Sequence, residues 1–362
     1  VKALLFPGQG ARGVPEAVRA WRAHPLVEFA RECTGLSWAA LEAEAGRAFE
    51  RTEVLQPLLT AVSLAVYESF SLSLRERGET TPTASTTGNE SLLSLSLRKR
   101  GEGRGEGLVA EPITREGEAV HVAQAAGPSN SSSGPLTRSA LAQGEGDAGR
   151  SRGGPLAQGD VVLGHSLGEL AAVCVAGAFE PRVAVELAAQ RGRLMAREAA
   201  SCPGGLIAVR SRDVAPTLEL AAVNAPDEFI LGGPEAQLPR GHPRVPVSGA
   251  WHTRAMTGAL DDFRRALEAA KPQPLSLPLV RNLDGEVTHD VNSLVEQLVA
   301  PVQFVASLQR LETLGVDTLV ILGPGLVLRG LVRRTLGTRL RVFTTEDASD
   351  LQRTIAATRS EP

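Results

Sequence analysis

The sequence predicts an α/β fold with one large subdomain and a second, smaller one. Three observations lead there. Thr52–Phe70 (TEVLQPLLTAVSLAVYESF) carries apolar residues at helical spacing, and Asp160–Gly164 reads as a short buried strand. A glycine-rich turn then leads into Leu170–Ala176, which has the composition of a buried helix. The third observation is size: once one stretch of biased composition is set aside, the remainder suffices for one α/β domain and a small companion.

The 362 residues carry 38 Lys+Arg against 41 Asp+Glu, a net charge of −3. That balance argues against nucleic-acid binding, which needs a basic face. No uninterrupted apolar run reaches the roughly 18 residues of a membrane span. Val1–Phe6 holds too few apolar residues for a signal-peptide core before Pro7-Gly8 intervenes. Cys33, Cys174 and Cys202 are scattered and odd in number, which excludes a disulfide framework or a Cys-rich zinc site and predicts buried, reduced thiols. A cytoplasmic protein without a metal, membrane or nucleic-acid partner is the expectation.

Taken in order, the elements begin with the Thr52–Phe70 helix. Residues 71–158 contain no Phe, Trp or Tyr and are rich in Gly, Ser, Thr and Glu. Within them Ser71–Glu79 (SLSLRERGE) recurs as Ser94–Glu102 (SLSLRKRGE). Such a stretch cannot offset backbone ordering entropy of roughly 1–2 kcal/mol per residue, so 71–158 reads as a low-complexity, disordered insert. The large subdomain is then expected in 1–70, 159–200 and 247–362, with the small one in 201–246. Gly204–Val209, Glu219–Val223 and Phe229–Gly233 read as strands and Asp213–Leu220 partly as a helix.

Gly164-His165-Ser166-Leu167-Gly168 is Gly-x-Ser-x-Gly between a strand and a helix, the setting of a nucleophile elbow. Such a turn lifts the Ser166 hydroxyl clear of the sheet and aims the Leu167 amide, at a helix N-terminus, into the same space. A serine hydroxyl needs a base to take its proton, usually a histidine. Among six histidines, His252 lies where a strand-like run ends and the helical Met256–Leu267 begins, the kind of place where catalytic groups collect. His165 adjoins the serine, but its side chain must point elsewhere on the turn; the residues alone leave the choice of His252 open.

Seven motifs occur in order: Phe6-Pro7-Gly8-Gln9-Gly10, Gln56-Pro57, Gly164–Glu169 (GHSLGE), Gln190–Met195 (QRGRLM), Ser248–Thr253 (SGAWHT), Pro301-Val302-Gln303-Phe304 and Gly323-Pro324-Gly325. Together they resemble malonyl-CoA:acyl carrier protein transacylases and the acyltransferase domains of polyketide synthases. The resemblance implies an α/β-hydrolase-like large subdomain with a parallel sheet and a ferredoxin-like small one, here shortened. It implies Ser166 as acyl-accepting nucleophile and His252 as general base, the latter oriented by a main-chain carbonyl assigned to Gln303. The oxyanion hole would be the amides of Gln9 and Leu167. Arg191 would bind the malonyl carboxylate, with Gln56 and Asn224 also at the substrate.

The implied reaction moves malonyl from malonyl-CoA to the phosphopantetheine thiol of an acyl carrier protein, in fatty-acid or polyketide synthesis. It uses no cofactor, since phosphopantetheine is carried by the partner. Gly249-Ala250-Trp251 before His252 matches neither common polyketide specificity tetrapeptide. Two alternatives are an acyl-thioester hydrolase of the same fold and a non-catalytic remnant disrupted by the insert. Retention of Arg191 favours the transferase, because a hydrolase clearing diverse acyl chains has less reason to keep it.

Overall fold

A computed structural model describes residues 1–43, 47–75 and 160–359. Expectations for 76–159, the bulk of the insert, lie outside the described residues. Five residues assigned to it lie inside: Ser71–Arg75 complete the helix begun at Thr52, with Ser71 and Leu74 buried. The helical apolar spacing simply continues through Leu72 and Leu74 past the point where aromatic residues stop.

The main sheet has six strands: β1 (Lys2–Phe6), β2 (Val161–Gly164), β6 (Leu279–Val280), β7 (Val287–Thr288), β8 (Thr318–Ile321) and β9 (Arg341–Thr344). Their order is β7-β6-β2-β1-β8-β9, all parallel except β7 against β6. Every residue of β2, β6 and β8 is buried, as are Ala3–Phe6 of β1, because helices cover both faces. The chain leaves β1 toward β2 on one side and returns to β8 on the other. A crevice therefore opens at the C-terminal ends of neighbouring strands, the usual ligand position in such sheets. The loop after β1 carries Gly8-Gln9, that after β2 Ser166, that after β6 Asn282 and that after β8 Pro324.

Eleven helices are used below or pack around the sheet among the described residues: α1 (Val14–Trp21), α2 (Pro25–Thr34), α3 (Trp38–Ala43), α4 (Thr52–Arg75), α5 (Gly168–Val175), α6 (Pro181–Ser201), α7 (Leu260–Ala269), α8 (Ser293–Glu296), α9 (Phe304–Thr313), α10 (Leu326–Leu336) and α11 (Ala348–Arg359). Helix α4 is long and apolar enough to cross a membrane by length and composition, but 72% of its most apolar window is buried inside the fold. It packs on α6, and Gly192 makes the contact close. A Cβ there would stand 2.8 Å from Glu53 Cα and from Thr52 O. Because Arg191 neighbours Gly192 and Gln56 lies one turn beyond Thr52, this contact brings those two side chains together.

The smaller unit is an antiparallel sheet of β3 (Gly204–Val209), β5 (Glu228–Pro234) and β4 (Glu219–Ala225) in that order. Residues 243–245 add to the free edge of β3: Ala208 N donates to Pro243 O and Val245 N to Leu206 O. The four extended segments thus keep the edge-to-edge order of a βαββαβ unit. Both helices of such a unit are missing here. The helix expected over Asp213–Leu220 is a three-residue 3-10 turn, Arg212–Val214, and the second connection holds only Glu235–Gln237. The connections are too short for more, and Pro216 breaks the first.

Two further expectations change. The strand-like run before His252 is loop, and Met256–Leu267 divides into a 3-10 stretch, Arg254–Ala259, followed by α7. The three cysteines are free as expected, but only Cys174 is buried, Cys33 being half-buried and Cys202 exposed.

Candidate active site

Ser166 sits at the top of the turn between β2 and α5 with φ +53°, a left-handed conformation that costs an ordinary residue on the order of 1–3 kcal/mol. The flanking glycines are steric necessities. A Cβ on Gly164 would fall 2.0 Å from Glu169 N, and one on Gly168 would fall 2.0 Å from Phe6 O. His252 is also left-handed, at φ +60°. Its Nε2 stands 2.7 Å from Ser166 Oγ, and its Nδ1 stands 2.7 Å from the main-chain oxygen of Gln297.

That carbonyl corrects the expectation of Gln303. The Gln303 oxygen instead accepts from Ser307 N and Oγ at the start of α9, while its N–H donates to Asn282 O at 2.7 Å. It is spent on a helix end, whereas Gln297 lies in the chain just before it and faces the imidazole. A carbonyl can only accept, so the proton of the neutral ring is on Nδ1 and the Nε2 lone pair faces the serine. Burial, and then the charge of Arg191, push the His252 pKa down to about 3. The ring is neutral, as a base must be.

Arg191, on α6, is 3% exposed. Its Nη1 donates to Gln56 Oε1 at 3.0 Å and its Nη2 to Gln297 Oε1 at 3.3 Å, with Ser166 Oγ at 3.5 Å. Among the described residues all its hydrogen-bond acceptors are neutral. Burial lowers its pKa to about 10, which leaves it charged at neutral pH. A buried guanidinium with no carboxylate hydrogen-bonded to it is costly and attracts an anion. Gln56 is fully used, its Nε2 donating to Thr52 Oγ1 at 2.8 Å and contacting Met195 Sδ. Thr52 Oγ1 donates in turn to Gln9 Oε1 at 2.8 Å, which ties the loop after β1 to the same chain of polar groups.

The site opens on a cleft of about 500 Å³ between the main sheet and the small one, with Gln56 fully buried behind its lining. Gln9, Ser166, Arg191 and His252 meet there, with Asn224 and Trp251 on its walls. Asn224 Oδ1 lies 2.9 Å from His165 Nε2, so that histidine is held away from the serine's proton. Trp251 is buried, its Nε1 lacking an acceptor among the described residues, and its ring packs so close over Gly249 that a Cβ there would meet it at 2.5 Å. Leu167 follows the serine directly, buried at the N-terminus of α5.

Three contributors carried no role in the sequence reading. Asn282 Oδ1 accepts from Ser166 N at 2.6 Å, and its Nδ2 donates to Gly164 O at 2.7 Å. Gln297 holds both His252 and Arg191. Glu169, wholly buried, accepts from Asn282 N, Gln297 Nε2 and Ser293 Oγ. Glu169 stood in a quoted motif, but an acid in a helix's first turn reads as an ordinary dipole complement. A strand-end position was the one signal for Asn282. Gln297 had none.

The family model described as the acyl transferase domain matches residues 140–337, more than half of the chain. The chain belongs to the acyl transferase domain family. Polyketide biosynthesis protein ThaF from Burkholderia thailandensis is 32% identical over 200 residues, 48% of this chain and 17% of ThaF. The malonyl CoA-acyl carrier protein transacylase of Bacillus subtilis is 27% identical over 230 residues, 56% of this chain and 72% of that enzyme. Among solved structures, a malonyl-transacylase in complex with its type II polyketide synthase acyl carrier protein superposes with a TM-score of 0.65 at 21% identity, covering 98% of this chain and 99% of that one. This acyl transferase domain thus spans a small part of ThaF and about three quarters of the discrete transacylase.

Proposed function

We propose that the chain transfers a malonyl group from malonyl-CoA to the phosphopantetheine thiol of an acyl carrier protein through a malonyl ester of Ser166. The observation that carries this reading is the buried Arg191, its described hydrogen-bond acceptors all neutral, 3.5 Å from Ser166 Oγ and opening on the cleft. A cation there suits an acyl group that ends in a carboxylate, and a planar guanidinium can hold one by two parallel hydrogen bonds. The names of the relatives support the same substrate class.

Ser166 Oγ attacks the thioester carbonyl while His252 Nε2 takes its proton. The negative charge that develops on the carbonyl oxygen is assigned to the Gln9 and Leu167 amides, neither of which donates to a protein acceptor among the described residues. The intermediate collapses with loss of the CoA thiolate, which recovers the proton from His252. The carrier's thiol then gives its proton to His252 and attacks the malonyl ester, and Ser166 leaves reprotonated. Because Arg191 depresses the basicity of His252, a malonyl carboxylate bound to Arg191 strengthens the base as substrate arrives.

The test is intact mass after mixing with malonyl-CoA, then with holo acyl carrier protein. One malonyl group should appear on the enzyme and then move to the carrier. Free malonate with an unloaded carrier would make the chain a hydrolase instead.

A further inference from the structure

We propose that Glu169 is a positioning residue for this transfer, setting the serine elbow, His252 and Arg191 in register through Asn282 and Gln297. The proposal rests on the acyl-transfer reading above. Glu169 touches neither Ser166 Oγ nor His252, so its influence passes through the two amides bound to its Oε2.

Oε2 faces the site and accepts from Asn282 N at 2.7 Å and Gln297 Nε2 at 2.9 Å. Among the described residues Oε1 accepts only from Ser293 Oγ, at 2.9 Å. The Asn282 arm reaches the nucleophile, since its side chain holds Ser166 N and Gly164 O on either side of the elbow. The Gln297 arm forks. Its main chain orients His252 and its side-chain oxygen accepts from Arg191. From Arg191 the donors run on through Gln56 and Thr52 to Gln9 on the candidate oxyanion loop. Glu169, Asn282, Gln56 and Gln297 are all at most 1% exposed, so water cannot replace a lost partner. One buried oxygen therefore anchors groups drawn from widely separated stretches of chain.

Two properties follow from the geometry. An amide oxygen can take over both bonds of Oε2, while the Ser293 hydroxyl turns to accept from the new amide group. Glu169→Gln should therefore keep the register, and Glu169→Leu, of similar volume but without an acceptor, should lose it. Misplacement of reacting groups by a fraction of an ångström to an ångström costs up to about a hundredfold in rate.

The experiment measures the acylation rate of Ser166 by rapid-quench mass spectrometry, with malonyl-CoA and separately with acetyl-CoA. Glu169→Leu should slow acylation by malonyl about tenfold to a hundredfold and narrow the malonyl-to-acetyl ratio, with Glu169→Gln restoring most of both. Ser293→Ala, which touches only the oxygen facing away, should stay within about twofold of wild type. Gln297→Met keeps the carbonyl for His252 but cuts both side-chain ties, to Glu169 and to Arg191. It should lower the malonyl rate more than the acetyl rate, and it answers the question should Glu169→Leu fail to fold. Equal slowing in Glu169→Gln and Glu169→Leu, or in Ser293→Ala, would overturn the proposal and leave Glu169 a packing residue. A wild-type enzyme that forms no acyl-serine would instead overturn the reading beneath it.

Discussion

His252 donates its Nδ1 proton to the main-chain oxygen of Gln297, forty-five residues further along, across 2.7 Å. The bond does the orienting work that a carboxylate does in a Ser-His-Asp arrangement, and adds no charge. It fixes the tautomer that leaves Nε2 bare toward Ser166, and it leaves Arg191 as the charge the imidazole feels most strongly.

Removal of either member of the pair separates nucleophile from base. Ser166→Ala should abolish the covalent malonyl-enzyme seen by intact mass after mixing with malonyl-CoA. His252→Ala should form it at least about 10²-fold more slowly, the usual scale for a positioned general base. A stoichiometric adduct persisting in Ser166→Ala would remove the elbow from the mechanism.

Substrate choice tests Arg191. Arg191→Ala should reduce malonyl transfer relative to acetyl transfer by one to two orders of magnitude, the equivalent of about 1.5–3 kcal/mol for a charge-assisted bidentate pair. Arg191→Lys should restore only part, because an ammonium lacks the paired planar donors. The readout is a competition between malonyl-CoA and acetyl-CoA for one carrier protein, followed by mass. A fall of the same factor for both acyl groups would make Arg191 a general support of the site.

Two buried groups predict opposite pH behaviour. His252 stays neutral down to about pH 3, so the first-turnover acylation rate should hold level from pH 8 to 5, where a histidine of ordinary pKa 6.5 would have lost most of its base form. A limb centred near 6.5 would contradict the buried, neutral ring. Glu169 is raised to about 7 by burial, against its three donors and the charge of Arg191. A raised carboxyl favours the folded state fully below its ordinary pKa of 4.5, and that contribution is lost as pH rises through 7. Denaturant titrations should show wild type losing on the order of 3 kcal/mol relative to Glu169→Gln across that window.

The close approach of α4 and α6 is testable at Gly192. The Cβ of Gly192→Ala must push Glu53 and Thr52 outward from 2.8 Å. Overpacking of this kind costs about 1–3 kcal/mol, visible as a lowered Tm. Because the same movement draws Thr52 and Gln56 from Arg191, the malonyl-to-acetyl preference should narrow as well. An unchanged preference at lowered Tm would show that Arg191 keeps its place without Gln56.

Sequence by itself determined the parts whose cause is local. Gly164 and Gly168 announce an elbow because any side chain there strikes backbone within a few residues or on the adjoining strand. The apolar run of β2 announces a buried strand, and the spacing through Thr52–Phe70 announces α4. The motif order was enough to pick out Ser166, His252 and Arg191 as partners. The tertiary structure decided what depends on distance across the fold. Gln303 and Gln297 are both glutamines near the same turn, and only packing of the 293–303 segment shows which carbonyl meets the imidazole. Glu169 looks like any acid in a first helical turn until Asn282 and Gln297 arrive from more than a hundred residues away to bond it. The small sheet's missing helices were likewise legible only as a shortage of residues. Hydrogen bonds between distant segments leave no periodicity in a chain, so the network behind the reacting pair exists only once the strands have been brought side by side.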